Sequence, residues 1–426
     1  MLTGTNLVYT KQYNLRIVHE VIRQFGPISR ADIARHTALT GQTISNLVKE
    51  LIELGLIAEA EQRRQGRGAP STALAINPEA AFSVGLDFNR DHLTGVLVDL
   101  AGNVRQRAHV ELELPTPERA LDLMADTVEA LIKKQRLSLA SIWGVGIGVP
   151  GPMHHSDGGD DEYVINPIAF PGWHNIPLAS WARERLGVPV FLENNATAAA
   201  VGEHWYGAGQ QLTTFFYFFF SSGLGGGLVM NGRPYEGFTG NAGEIGYFPA
   251  TMNGDSPHTG MQFNLPRLYE RLRASGVIVK RPADLDPLLE MGNTTLVEWL
   301  DVAADYLTGL VLSVEYLIDP EAIFYGGHLT DAILKGLMER VASALPGRRI
   351  GGKVTGPRQL LATAGVDSAA LGVATLPMYA YFAPAPQVLL KRSKRTSVGE
   401  RHGSPPGSPH GSPRGDARHG LAGRRV

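Results

Sequence analysis

The 426-residue sequence contains no cysteine. A disulfide, a thiol nucleophile and a cysteine-ligated zinc are therefore excluded. The sequence also has no apolar run close to the ~18–20 residues that a membrane span needs, and residues 1–11 lack the apolar segment of a signal peptide. These absences favour a cytoplasmic protein with no membrane partner.

An excess of charge of one sign is missing as well. The 39 basic and 41 acidic residues leave a net charge of −2. This small total does not exclude nucleic acid, because phosphate binding depends on local clusters of Lys and Arg. A hydrophobic content of 43% is ordinary for a globular protein, and the length predicts two or more folded units.

Apolar periodicity near the N-terminus predicts three helices, over Tyr13–Phe25, Ser29–Thr37 and Gly41–Leu54, with a turn at residues 38–40. Several apolar residues of this segment should form a shared core: Ile33, Ala34, Leu39, Ile44, Leu47, Val48 and Leu51. The pattern is typical of a helix-turn-helix, whose second helix lies in the major groove of DNA.

The polar residues of the third helix suit contacts with base edges and phosphates. They are Gln42, Thr43, Ser45 and Asn46. Two predicted strands, 56–60 and 72–76, flank a loop that carries Arg63, Arg64 and Arg67, and such a wing can follow phosphates or enter a minor groove. Residues 1–76 are therefore predicted to be a winged helix-turn-helix domain that binds double-stranded operator DNA. A small helical interaction module is the alternative.

Further along, the apolar run Phe215–Phe220 precedes a glycine-rich stretch that includes Gly223, Gly225 and Gly226. Glycines that adopt positive φ in a turn after a buried strand can bring backbone N–H groups against a phosphate or a sugar, although tight hairpins also use glycine. Glu244 follows among small residues, and a carboxylate can accept two hydrogen bonds from neighbouring hydroxyls.

Residues 221–247, together with the Gly-x-Pro-Gly element near Pro150, resemble the ROK family of repressors and sugar kinases. The resemblance covers about residues 10–382. It implies an α/β protein in which the winged helix precedes a two-lobed, actin-like (ribonuclease H-like) domain over residues 77–382, with a ligand in the cleft between the lobes. It implies sugar-binding roles for Asn166, Asn194, Asn195, Glu244 and Tyr247, and a vestigial phosphate-binding role for Gly223, Gly225 and Gly226.

Three departures from the family pattern bear on activity. Asn195 stands where family kinases have the aspartate base, and an amide cannot accept the proton of a sugar hydroxyl. The first phosphate turn reads Asp87-Phe88-Asn89-Arg90-Asp91 and lacks both glycines. Tyr247 replaces the zinc-binding histidine of the family motif.

These departures predict no catalytic residue, no cofactor and no metal. The expected function is a sugar-responsive transcriptional regulator, most simply a repressor. The alternatives are an active sugar kinase with an attached DNA-binding domain, and a repressor without an effector.

Residues 383–426 form a basic segment rich in Ser, Pro and Gly. Such a segment cannot bury enough apolar surface to fold, so it is predicted to be a disordered tail. A single winged helix contacts one half-site of an operator, which leads us to expect a homodimer or tetramer.

Overall fold

The computed structural model describes residues 7–60, 72–155, 163–167, 170–248, 260, 263, 265–351 and 355–384. The three wing arginines (Arg63, Arg64 and Arg67) and the basic tail beyond residue 384 lie outside the described residues.

The N-terminal unit contains three helices and a small sheet of order β1-β3-β2. The elements are α1 (Leu7–Phe25), β1 (Ile28–Ser29), α2 (Arg30–Thr37), α3 (Gly41–Glu53), β2 (Ile57–Ala60) and β3 (Ala73–Ile76). Ser29 caps α2 by accepting the Asp32 N–H at 3.2 Å, and Thr40 caps α3 by accepting the Thr43 N–H at 3.2 Å. The predicted helices are confirmed, although α1 begins at Leu7 rather than at Tyr13.

The first lobe is a mixed five-stranded sheet of order β10-β7-β4-β5-β6. Its strands are β4 (Phe82–Phe88), β5 (His92–Asp99), β6 (Val104–Glu111), β7 (Ile142–Val149) and β10 (Val190–Asn194), and a short hairpin follows β7, made of β8 (Met153–His155) and β9 (Tyr163–Ile165). The helices of this part of the chain are α4 (Pro117–Lys134), α5 (Leu178–Leu186) and α6 (Asn195–Tyr206).

The second lobe repeats this arrangement with a sheet of order β13-β12-β11-β14-β15. Its strands are β11 (Phe215–Phe220), β12 (Leu224–Met230), β13 (Arg233–Pro234), β14 (Ala322–Gly327) and β15 (Arg358–Leu361). Its helices are α7 (Leu265–Ala274), α8 (Asp286–Glu290), α9 (Thr294–Ile318) and α10 (Asp331–Arg348), and the C-terminal helix α11 (Ser368–Phe382) returns to the first lobe. In both sheets the first strand is central, with two antiparallel strands on one side and two parallel strands on the other.

The glycine-rich stretch corrects one expectation. Gly225, Gly226 and Gly227 lie within strand β12 and pair with β11, and neither they nor Gly223 have positive φ. A Cβ atom on Gly227 would lie 2.4 Å from the Ala196 carbonyl oxygen, and one on Gly225 would lie 2.9 Å from the Ala196 Cβ. These glycines are needed because helix α6 packs directly on the strand.

Helix α11 packs equally closely against α6. A Cβ on Gly372 would lie 1.8 Å from the carbonyl oxygen of Ala198. We expect Gly372→Ala to lower the free energy of unfolding by about 1–3 kcal/mol or more, because the two backbones would have to separate.

Gly309→Ala, on helix α9, is the matched control. No atom lies within 4 Å of its added Cβ, so it should stabilise the protein by about 0.5–1 kcal/mol. Urea unfolding of both variants measures the difference, and equal midpoints would show that the contact between α6 and α11 tolerates expansion.

The N-terminal unit shares its core with the first lobe. The predicted residues Ile33, Ile44, Leu47, Val48 and Leu51 are buried there, with Ala34 and Leu39 packed at its edge. Trp143 of β7 and Met378 of α11 belong to the same cluster. The N-terminal unit is therefore packed against the first lobe. No helix among the described residues is long and apolar enough to cross a membrane.

Candidate functional site: the cleft between the lobes

Glu244 lies at the centre of the predicted sugar site. Its Oε1 accepts a hydrogen bond from Asn194 Nδ2 at 3.0 Å, and the turn that follows β7 packs against it. A Cβ on Gly151 would lie 1.9 Å from the same oxygen, so only glycine leaves room for the carboxylate. The structure thus brings together Glu244, Asn194 and the Gly-x-Pro-Gly element, which are distant in sequence.

Two further residues attach the Glu244 segment to the first lobe. Asn241 Oδ1 accepts the Met153 N–H at 2.8 Å, and its Nδ2 donates to the Met153 carbonyl at 2.6 Å. The Tyr247 hydroxyl donates to the Gly151 carbonyl at 3.3 Å. The predicted site residue Tyr247 therefore lies beside Glu244.

Burial changes the acidity of this region. It raises the pKa of Glu244 to about 7, although the hydrogen bond from Asn194 acts in the opposite direction. Burial and the charge of Glu236 raise the pKa of Glu193 to about 8. Two carboxyl groups near the cleft therefore titrate around neutral pH.

Asn195 takes part in a polar connection between the lobes. Its Nδ2 donates to Asn89 Oδ1 at 3.1 Å, and the Ser221 hydroxyl donates to the same oxygen at 3.1 Å. Asn89 is buried and occupies the turn between β4 and β5, whereas Arg90 is exposed. Of the two residues, only Asn89 therefore lies in the interior of the turn.

Asn166 bonds within its own loop. Its Nδ2 lies 3.0 Å from both His154 Nδ1 and Asn175 Oδ1, and its Oδ1 accepts the Asn175 N–H at 2.7 Å. Its backbone N–H donates to Pro152. The residue lies near the turn that contacts Glu244, but these contacts commit its side chain to the loop.

A largely buried group of titratable side chains lies near the ends of β4 in the first lobe and β14 in the second. Asp87 is the last residue but one of β4, His92 begins β5, and His328 follows β14. Asp87 Oδ2 lies 3.6 Å from His328 Nε2 and 3.9 Å from His92 Nε2. Asp87 belongs to the first phosphate turn noted in the sequence, but no local pattern indicated that it would meet His92 and His328.

The charges in this group support one another. Burial opposes ionisation of Asp87, but hydrogen bonding to His328 and His92 outweighs it and lowers the pKa of Asp87. Burial likewise opposes protonation of His92, but Asp87 and Asp91 raise its pKa to about 9. The Asp87 carboxylate and the protonated His92 imidazole thus form an ion pair.

The predicted DNA-reading face is exposed on helix α3. Gln42, Ser45 and Asn46 are exposed and Thr43 is half-buried. Gln42 Nε2 donates to Asn46 Oδ1 at 3.2 Å. The first turn of α3 carries no acidic residue, so the positive end of the helix dipole is not neutralised there.

A family model for the ROK family matches residues 83–378. The chain belongs to the ROK family. A second model, for the MarR family, matches residues 11–68, which coincides with the winged helix-turn-helix unit.

The similar proteins include both regulators and kinases. The xylose repressor of Bacillus spizizenii is 32% identical over 246 residues, which are 58% of this chain and 62% of the repressor's own length. The crystal structure of a ROK family transcriptional regulator, a homologue of the E. coli MLC protein, aligns with a TM-score of 0.70 at 21% identity, over 89% of this chain and 99% of that one. A ROK family glucokinase from Streptomyces griseus aligns with a TM-score of 0.58 at 23% identity, over 70% and 99%. The two structures confirm the actin-like, two-lobed fold.

The structural zinc of family kinases does not fit this chain. The sequence has no cysteine to supply thiolate ligands, and Tyr247 uses its hydroxyl to bond the Gly151 carbonyl. The segment that follows, which contains His258, lies outside the described residues.

Proposed function

We propose that this protein is a DNA-binding transcriptional regulator, acting as a repressor, whose ROK domain binds a sugar or sugar derivative without phosphorylating it. The proposal depends on one arrangement: an N-terminal helical unit packed on a two-lobed domain in which Glu244 is hydrogen-bonded to Asn194 beside the Gly151 turn. The xylose repressor, which is similar over three fifths of its length, supports a sugar as the effector class.

The chemistry of the cleft supports binding without phosphoryl transfer. At the predicted base position, the amide of Asn195 is already hydrogen-bonded to Asn89 and cannot accept a proton at neutral pH. Loss of a positioned base removes roughly 10²–10⁴-fold in rate. The side chain of Asn89 also occupies the turn between β4 and β5, which in family kinases approaches a phosphate of the nucleotide. The proposal therefore includes no nucleotide cofactor.

A thermal-shift screen of pentoses and hexoses, each with and without Mg-ATP, tests the effector and separates the two functions. A bound sugar at ~100 times its Kd adds about 2.7 kcal/mol of stability. We expect a shift with at least one sugar and no ADP formation in a coupled assay. Sustained ADP formation would favour the kinase alternative, and no shift with any sugar would favour a repressor without effector.

The DNA-binding face is tested by two kinds of substitution. Replacing the wing arginines Arg63, Arg64 and Arg67 with Ala should weaken binding to every duplex. The slope of log affinity against log salt concentration should become shallower by roughly 0.9 for each phosphate that the variant no longer neutralises. Gln42→Ala should instead change which operator is preferred. The difference in binding free energy between the preferred base and another base at the contacted position should fall by about 1–3 kcal/mol. Fluorescence anisotropy with duplexes selected from a random pool measures both effects.

Three exposed arginines outside the N-terminal unit provide a control of equal charge: Arg119, Arg183 and Arg185. Their replacement with Ala should leave the salt slope unchanged. If both triple variants lose the same affinity, general charge rather than the wing drives binding.

We also propose a homodimer or tetramer. Two winged helices on half-sites about 34–36 Å apart multiply the affinity of one. A complex that contains one chain per operator in light scattering would contradict this.

A further inference from the structure

The group formed by Asp87, His92 and His328 has the composition of a metal site. One ring nitrogen of each histidine and one carboxylate oxygen of Asp87 all lie within 4.8 Å of one another. In a tetrahedral zinc site the ligand atoms lie about 3.3 Å apart, given metal–ligand distances near 2.0–2.1 Å. The distances of 3.6 and 3.9 Å from Asp87 Oδ2 to the two histidines need only a small contraction.

The surroundings orient these three side chains as ligands. His92 Nδ1 lies 2.7 Å from Asp91 Oδ1, which directs His92 Nε2 towards Asp87. A histidine that binds a metal almost always donates its other ring N–H to a carboxylate, a backbone carbonyl or a water, and Asp91 has this position for His92. Asn89 Nδ2 donates to Asp87 Oδ1 at 3.0 Å, so that Oδ2 is the oxygen that faces both imidazoles.

The third ligand is held from the other lobe. The ring of Phe219 meets His328 edge-on at 5.4 Å between centroids, and the His328 and His92 rings lie 4.4 Å apart. Asp87 is only 1% exposed, so an ion bound here would be shielded from water on the protein side. The group is thus assembled from both lobes.

We propose that Asp87, His92 and His328 bind one divalent transition-metal ion of the Zn²⁺ type, which bridges the two lobes. Two imidazoles and one carboxylate suit Zn²⁺, Co²⁺ or Ni²⁺ rather than Mg²⁺ or Ca²⁺, which prefer oxygen ligands. A water molecule completes the fourth position. The site differs from the expectation of no metal drawn from the sequence. It rests on this geometry alone and does not depend on DNA or sugar binding.

Metal binding by the full-length chain tests the proposal. After treatment with a chelator and its removal, the protein is titrated with Zn²⁺ by calorimetry and with Co²⁺ by visible absorption. We expect one ion per chain and the absorption of tetrahedral Co²⁺. His92→Gln and His328→Gln should each weaken binding by at least about 100-fold. Asp91→Asn should weaken it by about 10–100-fold, the usual effect of losing an outer partner.

His109→Gln is the matched control. Its ring stacks on His92 at 5.5 Å, but its Nδ1 bonds Thr94 at 3.0 Å and it is outside the group. This variant should bind metal as the wild type does. Circular dichroism of each variant checks that it is folded. Hydrogen exchange of the wild type, with and without Zn²⁺, tests the site without any substitution. Zn²⁺ should slow exchange at the end of β14 and in the turn between β4 and β5.

Three results would overturn the assignment: no stoichiometric ion in the wild type, unchanged binding in folded His328→Gln, or loss of binding in His109→Gln. The first would leave the group as an ion pair between the lobes, and the last would place the metal on the His92–His109 pair.

Discussion

Glu244→Gln should make the protein insensitive to its sugar while leaving operator affinity unchanged. Glu244 is far from α3 in the chain and contacts Asn194 and the Gly151 turn. Each hydrogen bond from a sugar hydroxyl to the charged Glu244 carboxylate should contribute about 1.5–3 kcal/mol. Removing that charge from two such bonds should weaken sugar binding by about 100-fold or more. Calorimetry with the sugar found in the thermal-shift screen measures this.

Glu236→Gln serves as the control, because Glu236 is a neighbouring carboxylate that is exposed. It should bind the sugar and release the operator as the wild type does. A normal sugar response in Glu244→Gln would place the effector elsewhere.

The pH dependence of sugar binding provides an independent readout of the same residue. With a pKa of about 7, Glu244 is charged in about 10% of molecules at pH 6 and about 90% at pH 8. Sugar affinity should therefore rise about tenfold between these values, and Glu244→Gln should remove the rise. Glu193, with a pKa of about 8, and Tyr247 also face this region. A flat profile in Glu193→Gln but not in Glu244→Gln would assign the titration to Glu193.

Local patterns predicted much of the fold. The predicted helices Ser29–Thr37 and Gly41–Leu54 agree with α2 and α3 to within one residue at each end, because a clear apolar periodicity marks both of them. Helices α5 and α10 and strand β15 were not predicted. β15 is defined by its pairing with β14, and no local signal encodes a partner in another part of the chain.

The site was harder to predict, for a related reason. Family resemblance indicated Glu244 and Asn194, and the structure brings the two together. The glycines of β12 were wrongly assigned to a turn with positive φ, because their role is to admit helix α6 rather than to change the backbone. The meeting of Asp87 with His328 depends on how two sheets face each other, which no spacing in the sequence reveals.

Helix α11 connects the region around Glu244 to the N-terminal unit. Its first half packs on α6, whose N-terminal residues reach the cleft, through the backbone contact of Gly372 with Ala198. At its end, Phe382 stacks on His19 of α1 at 4.3 Å and on Trp143 at 5.1 Å. Arg16 of α1 also donates to the carbonyl of Ala383 at 3.0 Å. A shift of α6 on sugar binding would reach α1 along this path.

Phe382→Ala should therefore break the coupling between sugar and DNA. In the wild type each ligand should weaken binding of the other by the same factor, about 5–150-fold. In the variant both ligands should still bind, but the factor should fall towards one, because α1 loses its aromatic contact with α11 and keeps only the hydrogen bonds of Arg16. The measurement is operator affinity with and without saturating sugar.

Phe25→Ala is a closely matched control. Phe25 stacks on His36 with the geometry of the Phe382–His19 pair, 4.3 Å between centroids and 18° between planes, but both residues of the Phe25–His36 pair lie within the N-terminal unit. Its loss should reduce stability and operator affinity, since each aromatic pair contributes about 0.5–1.5 kcal/mol, and should leave the coupling factor intact. Equal loss of coupling in both variants would mean that weakening the N-terminal unit, rather than cutting its link to α11, uncouples the two sites.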